Sequence, residues 1–173
     1  GNLVFDFTLN TTYSAGDQSI DAATTNLFYW NNILHDVLYQ YGFDEASGNF
    51  QENNYGNGGL DSDSVDALAQ SGLGTCNANF GTPVDGSNPR MRMYTCGNRD
   101  GDFDNWVIAH EFGHGISKRL TGGAGDSDCL DNDEQMGEGW GDIYGLLLTM
   151  QSTDDATDAR GFGTWGLSGE GPG

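Results

Sequence analysis

Positive charge is what this chain most lacks. Lys and Arg together number 6 against 26 Asp and Glu, a formal net charge of −20 over 173 residues. So acidic a surface repels phosphate backbones and anionic headgroups, which excludes nucleic acid and membrane surfaces as partners. Long apolar runs are also absent. None approaches the ~20 residues that a bilayer-spanning helix needs, and no stretch reads as a signal peptide or a lipidation site. Proline, cysteine and histidine are sparse, three of each. No internal repeat stands out and no linker separates two domains, so one sizeable core, or two small lobes with a cleft between them, is the expected organisation. What is abundant is glycine, 28 residues, interspersed with Asp, Asn and Ser in loop-like stretches. Such loops admit calcium. Asp104, Asp126, Asp128, Asp131 and Asp133 are the candidates, although a solvated acidic face is the commoner state and none of them forms an EF-hand loop.

Two of the three histidines stand together as His110-Glu111-Phe112-Gly113-His114. Positions i and i+4 share a helix face, so both imidazoles can reach one metal ion. Glu111 can then lean toward a water held there, which is the arrangement that metal-assisted peptide hydrolysis requires. The setting reads as helical. Asp104 or Asn105 supplies an N-cap. Val107, Ile108, Phe112, Ile116 and Leu120 keep an apolar stripe. Gly122-Gly123 ends the run, with Lys118 and Arg119 in a favourable last turn. Glycines at 113 and 115 weaken the helix by about 1 kcal/mol each against Ala, which a close backbone approach would explain.

A third ligand comes from a second helix. Glu138 and Asp142 are four apart ahead of an apolar run through Leu146, Leu147, Leu148 and Met150. Glu138 suits the zinc, and Asp142 suits the free ring N–H of His110 or His114, where a carboxylate fixes the tautomer. The rival HExxHxxGxxH arrangement fails, because Ser117 and Leu120 occupy the places it needs.

The HExxH helix followed by ExxxD resembles the thermolysin-like metallopeptidases. Within them the chain is similar to the fungalysin family (peptidase family M36). Residues 26–36, 41–45, 77–80, 88–94, 114–123 and 136–140 carry that match across nearly the whole chain. The resemblance implies zinc on His110, His114 and Glu138, with Glu111 as general base. It also implies secretion, extracellular protein substrates cut at internal bonds, often before an apolar residue, and an inhibitory propeptide as a partner. Asn77 and Ala78 match the edge strand that holds the substrate backbone in such enzymes. Gly113 and Gly141 depart from the family, which usually carries hydroxyl residues there. The family's oxyanion-stabilising His lies in a later segment, so the chain is expected to be a single partial catalytic domain. Residues 1–103 would form a strand and helix part with the substrate-edge hairpin, and 104–173 the zinc-binding helices, with a remainder beyond Gly173.

Cys76 and Cys96 bracket strand-like runs at 77–80 and 90–94, joined by a Gly/Pro/Asp/Ser loop that lets them pair as a hairpin. Centred near Gly86, that hairpin sets the cysteines opposite one another. A cross-strand disulfide is the favoured reading and suits an oxidising compartment; two buried thiols are the alternative. Cys129 is left over, either to pair outside this stretch or to stay free. Residues 21–42 read as an amphipathic helix with Leu27, Trp30, Ile33, Leu34, Val37, Leu38 and Tyr41 inward. His35 on it reads as a satisfied structural histidine. Residues 4–9 alternate as a short strand, 61–70 suit a brief helix, and Trp106, Trp140 and Trp165 read as core.

The expectation is an α+β, thermolysin-like zincin acting as a secreted zinc endopeptidase. Two rivals compete with it: a zinc-binding module without catalysis, and an acidic calcium-stabilised extracellular binding domain in which HExxH arose by chance.

Overall fold

The computed structural model describes residues 4–7, 19–71 and 76–167. Its first long element is helix α1 (Ile20–Tyr39), which buries Ala23, Leu27, Asn31, Leu34 and Leu38. Those positions step by three and four residues, so they form one stripe. The stripe is narrower than the expected inward face: Ile33 and Val37 sit at its border and Tyr41 is 85% exposed beyond the helix end. Asn31 takes a core position because its amide donates to the Leu27 carbonyl at 2.9 Å.

Strands β1 (Asp66–Leu68), β2 (Ala78–Gly81) and β3 (Arg90–Met93) form a sheet in the order β1-β3-β2. β2 and β3 are antiparallel, with Ala78 opposite Met93 and Gly81 opposite Arg90. The expected hairpin forms, but centred between Asp85 and Gly86, one residue out of the register that would set Cys76 opposite Cys96. β1 lies parallel to β3 on its other side, which corrects the brief helix expected over 61–70. Val65, Ala67 and Ala69 pack on the core while Asp66 and Leu68 point outward. Alternation of period two puts the small apolar residues on one sheet face, which a helix would scatter. Strands β4 (Thr95–Cys96) and β5 (Arg99–Asp100) make a second, two-stranded ribbon. Cys76 and Cys96 are joined in a disulfide, and Cys129 is free.

The expected strand over 4–9 is described only at 4–7, where no strand forms. There the Phe5 ring stacks on Phe28 of α1, centroids 5.5 Å apart. Its remainder, and the loop expected over 168–173, lie outside the described residues.

Helix α2 (Asn105–Gly122) carries the HExxH motif. Asp104 caps it, its Oδ1 accepting the Val107 N–H at 3.3 Å. Oδ2 accepts the N–H groups of Trp165 and Gly166 at 3.1 and 3.3 Å, tying helix α4 (Thr164–Leu167) to the helix start. Ile108, Phe112 and Ile116 are buried against Leu27, Leu34 and Leu38 of α1, Phe80, Met91 and Met93 of the sheet, and Phe43 and Phe50. Phe50 meets Phe43 and Phe112 edge-on at 5.2 and 5.6 Å, an arrangement that adds about 0.5–1.5 kcal/mol per pair beyond area burial.

At the far end of α2 the expected stripe breaks. Leu120 is 52% exposed and Arg119 is 1% exposed. The guanidinium of Arg119 donates to the Gly48 and Pro83 carbonyls at 2.8 and 3.0 Å and to Asp63 and Asp85 at 3.3 Å each. It also lies 5.0 Å from the centroid of the Phe50 ring. Its burial is thus compensated by charge, carbonyls and an aromatic face, which no leucine could replace.

Helix α3 (Gly137–Leu148) crosses α2 closely. A Cβ at Gly113 would stand 3.1 Å from the Gly141 Cα and 2.9 Å from the Tyr144 ring, and one at Gly115 would meet Phe50 and Phe80 at 2.7 Å. These glycines are present because backbone and rings occupy the space of a side chain. Trp106 is buried as expected, whereas Trp140 is 44% exposed on the outer face of α3 with Ile143 and Leu147. That face has no partner among the described residues, so Trp140 does not enter this core. Trp165 is part-buried, its indole N–H donating to the Asp100 carbonyl at 2.8 Å.

Candidate metal centre

One turn of α2 separates His110 from His114, and their rings stand edge-on with centroids 4.8 Å apart. Both face α3. The Oε2 of Glu138 lies 3.2 Å from His110 Nε2 and 3.6 Å from His114 Nε2. One turn further along α3, Asp142 Oδ1 is 3.1 Å from His110 Nδ1. The two carboxylates therefore divide the His110 ring between them, one on each nitrogen. Four-coordinate zinc with ligand atoms at ~2.0–2.1 Å has neighbouring ligands about 3.3–3.4 Å apart, so the Glu138 oxygen stands from each Nε2 at a separation that suits such an ion.

Glu111 offers a second grouping, since ligand atoms of His110, Glu111 and His114 lie within 4.8 Å of one another. The environments of the two glutamates differ. The Glu138 side chain is 75% exposed in the cleft. Glu111 is 6% exposed and its Oε2 is buried with no hydrogen-bond partner. Burial, and then the neighbouring Glu138 carboxylate, push the Glu111 carboxyl up to about 8. A cation beside it reverses that balance and favours the carboxylate. Burial also holds His114 below the usual imidazole range, which keeps the ring in the neutral form that ligation needs.

Two spaces open from this centre. A cleft of about 400 Å³ runs along β2, lined by Asn77, Ala78, Asn79 and Phe80 on one side and by His110, Glu111, His114, Lys118 and Glu138 on the other. Asn77 and Ala78 thus stand across the cleft from the motif. The second space, about 200 Å³, lies behind His110 and Glu111 and is lined in part by Met93, Trp106, Val107 and Phe162. His35 stands apart from both, its ring nitrogens 3.0 Å from Asp36 and 3.0 Å from Gln51, as a structural histidine should be.

A family model described as Fungalysin metallopeptidase (M36) matches residues 1–171. This chain belongs to the fungalysin family. Among its relatives, an extracellular metalloproteinase 2 of Trichophyton tonsurans is 47% identical over 161 residues, covering 90% of this chain and 26% of the relative. An extracellular metalloproteinase MEP of Pyricularia oryzae is 44% identical over 95% of this chain and 27% of its own length. An extracellular metalloproteinase 9 of Coccidioides posadasii is 43% identical over 98% and 28%. The fungalysin chain thus spans about a quarter of the length of the curated relatives it matches. None of its described helices is long and apolar enough to cross a membrane.

Several residues at this fungalysin centre escaped the sequence reading as site residues. Trp106 packs its ring 5.1 Å from that of His110; the i, i+4 spacing on α2 was the available signal. Lys118 lines the cleft and pairs with Asp131 at 3.0 Å. Phe162 reaches the smaller cavity from 52 positions beyond His110 (162 − 110) with no local pattern to announce it. Of the loop aspartates weighed for calcium, Asp126, Asp128, Asp131 and Asp133 remain exposed. Both oxygens of Asp104 are taken by main-chain N–H groups.

Proposed function

We propose that this chain carries the zinc-binding part of a secreted, thermolysin-like endopeptidase that cuts extracellular proteins at internal bonds. The observation that supports it most is the position of one Glu138 oxygen against both Nε2 atoms, with Asp142 on the opposite nitrogen of His110. His110, His114 and Glu138 hold the metal. When bound there, zinc supplies a Lewis acid that acidifies a water and polarises the scissile carbonyl.

The remaining steps belong to side chains of this chain. Asp142 keeps a proton on His110 Nδ1, so that Nε2 presents its lone pair. Glu111, whose Oε2 has no other partner, accepts the proton of the attacking water and delivers it to the leaving amine. Packing of Trp106 on His110 excludes solvent from that side.

The substrate pairs its main chain with the outer edge of β2 at Ala78, and the side-chain amide of Asn77 adds a further hydrogen bond, which orients the scissile bond over the motif. Its apolar side chain enters the cavity beside Met93, Val107 and Phe162, which suits cleavage next to an apolar residue. An inhibitory propeptide would occupy the same cleft before activation. The relatives' names as extracellular metalloproteinases and the disulfide support export to an oxidising compartment.

The test is hydrolysis of an internally quenched peptide by the zinc-loaded protein beside its Glu111→Gln variant, with zinc content measured in both. The parent alone should cleave while both hold one zinc. Cleavage by the variant would refute the role of Glu111. Silence from a zinc-loaded parent would leave a binding module in place of an enzyme.

A further inference from the structure

A second cluster of acidic groups lies where the short 3-10 turn Gly101–Phe103 feeds into α2. Asp100 and Asp102 are 3% and 0% exposed. Asp100 Oδ1 accepts the Asp102 N–H at 3.0 Å, and its Oδ2 accepts the Ser19 hydroxyl at 3.2 Å and the Gln70 side-chain amide. Asp102 Oδ2 accepts the Gln70 main-chain N–H at 2.9 Å. Asp102 Oδ1 is buried and no N–H or O–H group donates to it. An orphaned carboxylate oxygen in a dry interior costs several kcal/mol unless a proton or a cation accompanies it.

The donors of this cluster favour the cation. They are the two carboxylates, the Ser19 hydroxyl and the Gln70 side chain, which presents its carbonyl oxygen after rotation of the amide by a half turn. This set is all oxygen, with neither the imidazole nor the thiolate that zinc prefers. It also draws on three segments distant in sequence: the start of α1 (Ser19), the stretch after β1 (Gln70), and the turn that launches α2.

We infer that Asp100, Asp102, Ser19 and Gln70 form a calcium site, separate from the HExxH centre, that fastens the start of α1 and the segment after β1 to the start of the motif-bearing helix. Calcium accepts six to eight oxygen ligands in flexible geometry, so water completes the shell. Burial, and then a hydrogen bond and charge repulsion from the Asp100 carboxyl, raise Asp102 to about 9, so the pair does not carry two bare charges unaccompanied. Asp104 stands two residues away and lies outside the cluster, its oxygens accepting the N–H groups of Val107, Trp165 and Gly166.

The experiment uses the purified protein, kept zinc-loaded and freed of calcium, with Ca²⁺ and Tb³⁺ as probes. Calcium should raise the Tm of the parent by several degrees in a saturable way and leave that of Asp102→Asn unmoved. Terbium should show emission sensitised by Trp165, whose indole lies on the Asp100 carbonyl at 2.8 Å. That emission should fall severalfold in Trp165→Phe, while the calcium-dependent Tm rise persists, and calcium should displace it. A parent indifferent to calcium, or an equal Tm rise in Asp102→Asn, overturns the inference. An Asp102→Asn variant more stable than a calcium-indifferent parent at neutral pH would show that the pair shares a proton instead. If Asp102→Asn does not fold, absence of calcium-displaceable terbium emission in the parent overturns it independently.

Discussion

Removing the Asp142 carboxylate isolates its service to His110 from the ligand set itself. Its Oδ1 lies 3.1 Å from His110 Nδ1, whereas Glu138, one helical turn earlier, approaches the opposite nitrogen. Asp142→Ala thus leaves all three proposed ligands in place and frees only the ring's orientation and tautomer. Loss of such an outer partner costs about 10–100-fold in metal affinity, or about 1.4–2.8 kcal/mol at ~1.4 kcal/mol per decade. The Asp142 side chain is 56% exposed, so water replaces part of the lost hydrogen bond and the expected loss is near the lower end, roughly tenfold. Competition with a chromogenic chelator measures zinc affinity directly. Glu138→Ala, which deletes a ligand, should lose far more, and Asp142→Asn, which keeps an acceptor for Nδ1–H, should recover most of the loss. Zinc affinity of Asp142→Ala within twofold of the parent, or a loss as large as that of Glu138→Ala, would refute the division of labour between the two carboxylates.

Arg119→Met should destabilise the protein by about 3–5 kcal/mol, the cost of leaving a buried partner uncompensated, since Asp63 beside it is fully buried; an unfolding free energy from urea titration within about 1 kcal/mol of the parent's (on the order of one surface ion pair) would contradict that. Adding Asp63→Asn to Arg119→Met should restore part of the loss. Replacing Cys76 and Cys96 by Ser should lower stability by about 3 kcal/mol, the loop entropy of a closure of this length, and reductant should do the same to the parent alone; unchanged unfolding would count against the bridge. In calcium-free protein, Asp102 is held at about 9 against an ordinary 3.8. The folded state therefore keeps a proton that the unfolded chain releases, so the contribution is full below the ordinary value. It is lost as pH rises toward 9, by about 1.4 kcal/mol per pH unit. Asp102→Asn should flatten that slope in denaturant titrations at several pH values, and equal slopes would refute it.

Local chemistry made a good part of this molecule legible in advance. The α2 helix, its Asp104 cap and the glycines that end it follow from neighbouring residues alone. So does the β2–β3 hairpin, because a turn-rich loop between two alternating runs leaves few ways to pair them, although its register lies one residue from the expected one. The i, i+4 spacing of Glu138 and Asp142 anticipated their shared face, and the structure brings both to one ring. What escaped depends on partners far along the chain. Residues 66–68 become a strand because β3 offers an open edge. Arg119 goes inward because Gly48, Asp63, Pro83 and Asp85 meet there, and Leu120 then faces solvent. Trp140 stays exposed because no described element covers the outer face of α3. Phe162 completes a cavity wall from a segment whose own pattern is featureless. Composition reads burial only where a residue's neighbours lie within a turn or two.

The outer edge of β2 carries a hazard as well as a use. Among the described residues β2 pairs with β3 alone, and an unpaired strand edge recruits any extended chain, a second copy of this protein included. Three features blunt that edge without closing it. The strand is only four residues long, it alternates Asn79 and Gly81 with Ala78 and Phe80, and every copy carries a net charge of −20. Mutual repulsion of that size acts at long range and is switched off by electrolyte, since the Debye length shrinks to about 3 Å at 1 M salt. Colloidal behaviour thus becomes a reporter on this one strand. Concentrated protein should remain monodisperse in dilute buffer and self-associate in strong salt. A peptide that docks on the edge should suppress that association by capping it.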